Sequence, residues 1–208
     1  MHTNALSFFK MMKGADVSVI YYHTFYHGET ALHVALGCGR FIQYSRAKSQ
    51  IEVVRALLDK GADKEAIDIH QKTSLHVACY GLDIDSIHLL LECGANVHAR
   101  DALQCTPIMY AVRNDSPNDE FFNRKCIDIV KLLIQYGADE DARNAKGESL
   151  LHLAASRHIV LKHLLRDGGP HDINTRTLEN ATCFHYMFGN LSNSTVDDVK
   201  WMVRKGAG

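Results

Sequence analysis

The chain has 208 residues, 46% of them hydrophobic and 23% charged, proportions that supply a sizeable apolar core. Twenty-three Lys and Arg against 24 Asp and Glu leave a formal charge of −1, so no global field draws it to nucleic acid or an anionic membrane. No apolar run approaches the roughly 18 residues of a membrane span, no basic n-region precedes an apolar stretch, and the six cysteines (Cys38, Cys79, Cys93, Cys105, Cys126, Cys183) lack paired spacing. The expectation is a soluble, unsecreted protein with reduced thiols in the cytosol or nucleus.

In chain order, residues 1–29 read as a partial unit that carries a Gly14-Ala15-Asp16 turn. Residues 30–72 open on TALHVA at Thr30, continue through an insertion near 38–48 into a helix with Val53, Val54, Leu57 and Leu58, and close on GAD at Gly61. Residues 73–105 repeat the pattern from TSLHVA at Thr73 through Ile84, Ile87, Leu90 and Leu91 to GAN at Gly94. Residues 106–148 run from TPIMYA at Thr106, past a second insertion near 114–124, through Ile129, Val130, Leu132 and Leu133 to GAD at Gly137. Residues 149–181 start with SLLHLA at Ser149 and hold a weaker GGP at Gly168. Residues 182–208 start with TCFHYM at Thr182 and end, after Val199, Met202 and Val203, on GAG at Gly206.

The five starts lie 43, 33, 43 and 33 residues apart, while Gly61 to Thr73, Gly94 to Thr106 and Gly137 to Ser149 are each 12 residues. The segment after each glycine is therefore geometrically fixed, and length varies between the two helices of a unit. Each Thr or Ser is placed to cap a helix, its hydroxyl accepting from an orphaned backbone N–H, and Pro107 fits a first helical position. The second helices show apolar residues at helical spacing and end where glycine supplies a left-handed residue. Ala35, Ala78, Ala111 and Ala154 allow adjacent first helices to approach closely. No unit can bury its apolar face alone, so stacking supplies the core.

These residues resemble the ankyrin repeat, a unit of about 33 residues with a T-P-L-H-x-A start and a G-A-D ending. The resemblance covers residues 30–208 as five units, the last incomplete or capping-like, and implies an all-α solenoid of stacked helix-turn-helix units with projecting loops or short β-hairpins. It implies that His33, His76, His152 and His185 make hydrogen bonds between repeats, and it puts that bond in doubt in the third repeat, which has Met109. Phe184, Met187, Phe188 and Trp201 mark the fifth unit as modified. The chain begins inside a unit and stops at a mid-array signal, so a longer parent protein is expected. The irregular spacing and the stretch FHYMFGNLSNSTVDDVKWMVRKGA are similar to poxviral ankyrin proteins, which would put the protein in a host cell.

The sequence gives catalysis little to work with. No GxGxxG, GxxxxGK[ST], GxSxG or HExxH occurs. His23 and His27 have an HxxxH spacing without a cysteine pair nearby, and four of the thirteen histidines share one repeat position, which structural hydrogen bonding explains. Cys105 and Cys126 read as small core residues before they read as nucleophiles. The expectation is a monomer that is not an enzyme, binds no cofactor, metal, nucleic acid or membrane, and holds another protein.

Solenoids of this kind present a concave face made of loop tips and the exposed side of each first helix. The resemblance places there Tyr26, His27 and Glu29; Ile69, His70, Lys72 and Tyr80; Leu103, Cys105, Arg113 and Asn114; and Lys146, Glu148, Ser156 and Arg157. Aromatic and arginine anchors carry most interface energy, which favours Tyr26, Tyr80, Arg113 and Arg157. The two insertions, one basic and aromatic (Arg40, Phe41, Ile42, Tyr44, Arg46, Lys48) and one acidic (Asp115, Asp119, Glu120), offer a rival surface on loops. Two functions follow from this: a scaffold that tethers a protein partner, or an inhibitor or substrate adaptor that sequesters or redirects one.

Overall fold

A computed structural model describes residues 28–37, 47–113, 119–165, 172–189 and 196–207. The described helices are α1 (Ala31–Gly37), α2 (Ala47–Asp59), α3 (Ser74–Tyr80), α4 (Ile84–Glu92), α5 (Pro107–Val112), α6 (Glu120–Gln135), α7 (Leu150–Ala154), α8 (His158–Leu164), α9 (Cys183–Gly189) and α10 (Val196–Arg204). They form two rows. The short first helices pack in the order α1, α3, α5, α7, α9, and α2, α4, α6 and α8 follow one another behind them. This is the all-α stacked array that the repeat spacing implies.

The rows bury what the sequence pattern marks. Ala35, Ala78, Ala111 and Ala154 are all buried between successive first helices, where larger side chains would hold the backbones apart. Behind them, Val54, Leu57, Ile87, Leu90, Ile129, Val130, Leu133, Val160, Leu161 and Met202 join one continuous core. Ile84 and Val203, which share the helical spacing, lie instead on the solvent side of their helices.

The insertions lie largely outside the described residues, but the described part of the second one is helical. Asp119 caps α6, its carboxylate accepting from the Phe122 N–H at 2.9 Å, and Glu120 stands in the first turn, where the helix dipole favours an acid. That extension makes α6 16 residues long against nine in α4.

The connections between units are hairpin-like, with isolated bridges pairing Ile67 with Thr73 and Arg176 with Thr182. Gly137 enters its connection at φ +88, in the left-handed region that ends the preceding helix. The tips are joined by backbone hydrogen bonds: Ala102 N–H to His70 O at 2.9 Å, Ala145 N–H to Leu103 O at 2.8 Å and Leu178 N–H to Lys146 O at 3.0 Å. Each tip is thereby held at a fixed pitch from the next.

Candidate partner-binding surface

The histidine of each hexapeptide builds the joint that positions both rows. Thr73 donates its N–H to His76 Nδ1 at 3.1 Å, and the Thr73 hydroxyl lies 2.9 Å from the same nitrogen. Thr30 with His33, Ser149 with His152 and Thr182 with His185 repeat this arrangement. An Nδ1 that accepts a backbone N–H carries no proton, so Nε2 does, and it donates across the repeat boundary. His33 Nε2 reaches Lys72 O at 2.8 Å, His76 reaches Cys105 O at 3.1 Å and His152 reaches Ala181 O at 3.2 Å. Thus the capping hydroxyl also faces the imidazole, a partner the capping argument alone omits. Burial, the largest effect, holds all three imidazoles below their ordinary pKa, and the backbone carbonyls oppose it only in part.

The third repeat lacks the joint. Met109 is fully buried in the histidine position, and the buried Thr106 hydroxyl finds no partner among the described residues. Glu148 O, the carbonyl equivalent to Lys72 O, Cys105 O and Ala181 O, still accepts from Asn144 N–H at 3.1 Å but receives no imidazole.

In front of these joints, one half-buried residue per first helix forms a stripe: Val34, Val77, Tyr110, Leu153 and Tyr186. Each lies four residues after the capping Thr or Ser, a register visible in the sequence but absent from the candidate set above. Its two tyrosines reach the hairpin bases. The Tyr110 hydroxyl donates to Asp101 Oδ2 at 2.7 Å, and its ring stands edge-on to His76 and to Tyr80. The Tyr186 hydroxyl donates to Glu148 Oε1 at 2.7 Å, and Asn144 Nδ2 donates to Glu148 Oε2 at 2.6 Å. Burial and the carboxylate acceptors push the Tyr110 hydroxyl far up and that of Tyr186 up to about 12, so both remain donors. Burial opposes ionisation of Glu148, but donation from Asn144 and Tyr186, with Lys146 and Arg113 nearby, outweighs it and lowers its pKa.

The candidate residues divide accordingly. Ile69 is 60% and Leu103 51% exposed at successive tips. His70, Lys146 and Arg113 are exposed, Glu29, Tyr80 and Ser156 are intermediate, and Lys72 is half-buried and paired with Asp68 at 3.2 Å. Three candidates are not surface residues. Cys105 is 1% exposed, because its N–H is tied to Asp101 at 2.7 Å and its sulfur lies under Asn144, and burial pushes its thiol pKa up. Glu148 is 7% exposed within the tyrosine and asparagine bonds just described. Arg157 is 5% exposed and donates to the buried Asn123 at 3.3 Å, which ties the turn before α8 to α6. Tyr26, His27 and Asn114 lie outside the described residues, as do His23, Asp115 and the stretch 38–46 of the first insertion.

Among the described residues, no three His, Cys, Asp or Glu side chains converge to hold a metal ion, and no helix is long and apolar enough to cross a membrane.

Comparison with known proteins agrees with this geometry. Two models of ankyrin repeats match, one of three copies over residues 46–124 and one of many copies over 119–158, together more than half of the chain. Ankyrin repeat and SOCS box protein 11 of Mus musculus is 32% identical over 143 residues, 66% of this chain and 41% of that protein. Ankyrin repeat and SOCS box protein 6 of Homo sapiens is 31% identical over 167 residues, 71% and 39%. The B-cell lymphoma 3 protein homolog of Mus musculus is 33% identical over 163 residues, 75% and 32%. The chain spans less than half the length of each of these relatives.

Proposed function

Because the chain belongs to the ankyrin-repeat family, we propose that it is a protein-binding module, a scaffold that holds a partner across the stripe of first helices and the hairpin tips. The observation that carries this is the rigid presentation of apolar side chains. Ile69 and Leu103 stand exposed on tips whose backbones are bonded to their neighbours, and Tyr80 and Tyr110 stand edge-on to each other on successive first helices. Ordering such residues before binding removes part of the entropy that association costs. Arg113, exposed at the end of α5, supplies the charged anchor.

The test needs an identified partner, obtained by affinity capture and mass spectrometry. Tyr80→Ala and Arg113→Ala are then expected each to weaken binding by about 1–3 kcal/mol, with the melting temperature showing an intact fold. Unchanged affinity in both would remove the assignment. Deleting the insertions near 38–48 and 114–124 one at a time, with melting and binding both measured, separates the rival loop surface from the concave one.

A second reading, that of an adaptor that carries a substrate, draws on the relatives whose names join ankyrin repeats to a SOCS box. In those proteins ankyrin repeats share a chain with a SOCS box. Co-expression distinguishes the readings: a partner whose lifetime shortens in the presence of the protein indicates an adaptor, and one whose lifetime is unchanged or longer indicates a tether or a sequestering inhibitor. A cytosolic or nuclear location and a monomeric state complete the proposal. Fluorescence microscopy of the tagged chain and sedimentation would show otherwise if they found it at a membrane or as a dimer.

A further inference from the structure

Three arginines repeat at one position of successive hairpins, immediately before the Asp, Asn or Thr at each hairpin base: Arg100, Arg143 and Arg176. All three are exposed. Arg100 Nη1 donates to Gln104 O in its own hairpin at 3.0 Å and to Arg143 O in the next at 2.9 Å. Arg143 Nη1 donates likewise to Gly147 O and Arg176 O, both at 3.0 Å, and Arg176 Nη1 to Asn180 O at 3.2 Å. One nitrogen of each guanidinium is thus spent on fixing its position. The Nε–Nη2 edge, the side-on fork that matches a carboxylate, makes no bond among the described residues, and none of the three enters an ion pair there. In the hairpin that precedes these three the same position is Ile67, 53% exposed.

We infer that this row is the binding site for an extended, acidic segment of a protein partner, with one carboxylate per guanidinium and an apolar residue against Ile67. The inference rests on the protein-binding reading but uses an edge outside the residues proposed for it. Spacing selects the ligand. Helices of neighbouring repeats pack at about 8–10 Å, so the guanidiniums recur at about that interval. A polyproline II segment has three residues per turn and a rise of about 3.1 Å, which puts every third side chain on one face about 9 Å apart. In a β-strand, every third side chain falls on alternate faces. The recognised pattern is therefore an apolar residue followed, or preceded, by three acids at every third position.

Nucleic acid fits less well. Among the described residues the row is one guanidinium wide and no aromatic ring contacts it, and the exposed Asp141 and Glu179 lie two residues before Arg143 and three after Arg176. Those acids repel a continuous phosphate chain but leave room for carboxylates separated by neutral residues.

Fluorescence anisotropy with the full chain and labelled peptides tests this. LPPEPPEPPE or its reverse, EPPEPPEPPL, is expected to bind at least about tenfold more tightly than LPPPEPPPEPPPE, whose acids are four residues apart, and to weaken as salt rises. Arg100→Ala, Arg143→Ala and Arg176→Ala are each expected to reduce binding about threefold, the scale of one exposed ion pair. The peptide series leaves the protein untouched, so loss of the carbonyl bonds in the variants does not obscure the outcome. Equal binding of the two spacings, or equal binding of a peptide with Lys in place of Glu, overturns the inference. So does preference for a 20-residue helical peptide with acids seven apart, or arginine-dependent binding of oligothymidylate tighter than that of the peptides. Each of those outcomes leaves the Tyr80 and Arg113 test standing, so failure here is distinguishable from failure of the protein-binding reading.

Discussion

Replacing Met109 with His should stabilise the array, because it completes a joint that the neighbouring repeats already have. The substitution removes a fully buried thioether side chain, at a cost of about 2 kcal/mol in apolar burial. In return, Nδ1 accepts from Thr106, whose hydroxyl is now buried without a partner, and Nε2–H donates to Glu148 O. Two net hydrogen bonds contribute about 1 kcal/mol each, and relieving the orphaned hydroxyl contributes a further 1–3 kcal/mol or so. The balance is a gain of about 1–3 kcal/mol, equivalent to a rise in melting temperature of about 2–12 °C for a chain of this size. Urea unfolding at pH 8, where imidazoles are neutral, gives the clean measurement. A loss of stability at that pH would show that the buried thioether contributes more than the missing bonds, and would refute the reasoning.

His33, His76 and His152 should make the protein sensitive to acid: burial lowers their folded pKa values below the ordinary 6.5, so the unfolded chain takes up protons that the folded chain refuses. Their contribution is full above about pH 6.5 and is lost as pH falls from there toward the folded values. With three sites the limiting slope is about 4 kcal/mol per pH unit, and urea midpoints between pH 8 and 5 that do not move would contradict it. Gly147→Ala should cost about 2–4 kcal/mol, since φ is +75 and a Cβ would stand 2.9 Å from the Leu178 backbone nitrogen. Gly137→Ala, at φ +88 with nothing within 4 Å, should cost only about 1 kcal/mol, and equal losses on thermal melting would show that the tip contact is slack. Arg157→Ala should lower stability by about 2 kcal/mol through the lost buried contact with Asn123, and a variant with unchanged melting but weaker partner binding would restore Arg157 as an anchor.

The sequence discloses the parts of this fold that recur and conceals those that depend on neighbours. The histidine position, the buried alanines and the glycine exits were legible because each repeat must satisfy the same geometry, and Met109 stood out as a departure before its orphaned hydroxyl partner was seen. Cys105 and Glu148 were misplaced because they hold the position just before the capping Thr or Ser, which is half-buried at Glu29, Lys72 and Ala181 and closes fully where Asn144 or Tyr186 lies against it. Arg157 was misplaced because its side chain turns inward to Asn123, 34 residues away. The carbonyl bonds of Arg100 and Arg143 were hidden differently, since their acceptors lie 43 and 33 residues away and no local pattern announces them.

The alternation of long and short units has a physical origin in the same contacts. From Thr or Ser forward to the next glycine the distance is 31, 21, 31, 19 and 24 residues, whereas the three described hairpins between Gly61 and Ser149 keep 12. An extra ten residues between the helices of a pair lengthen a closed loop, and doubling a loop costs only about 0.6 kcal/mol. An extra residue in a hairpin would displace a tip whose N–H must reach the previous tip's carbonyl at about 3 Å, and would move an arginine away from the carbonyl it bonds in the next repeat. One backbone bond and one guanidinium bond would be lost together, at about 1 kcal/mol or more each. The array therefore accepts insertions between the paired helices of a unit, and resists them within the tips that are proposed to bind.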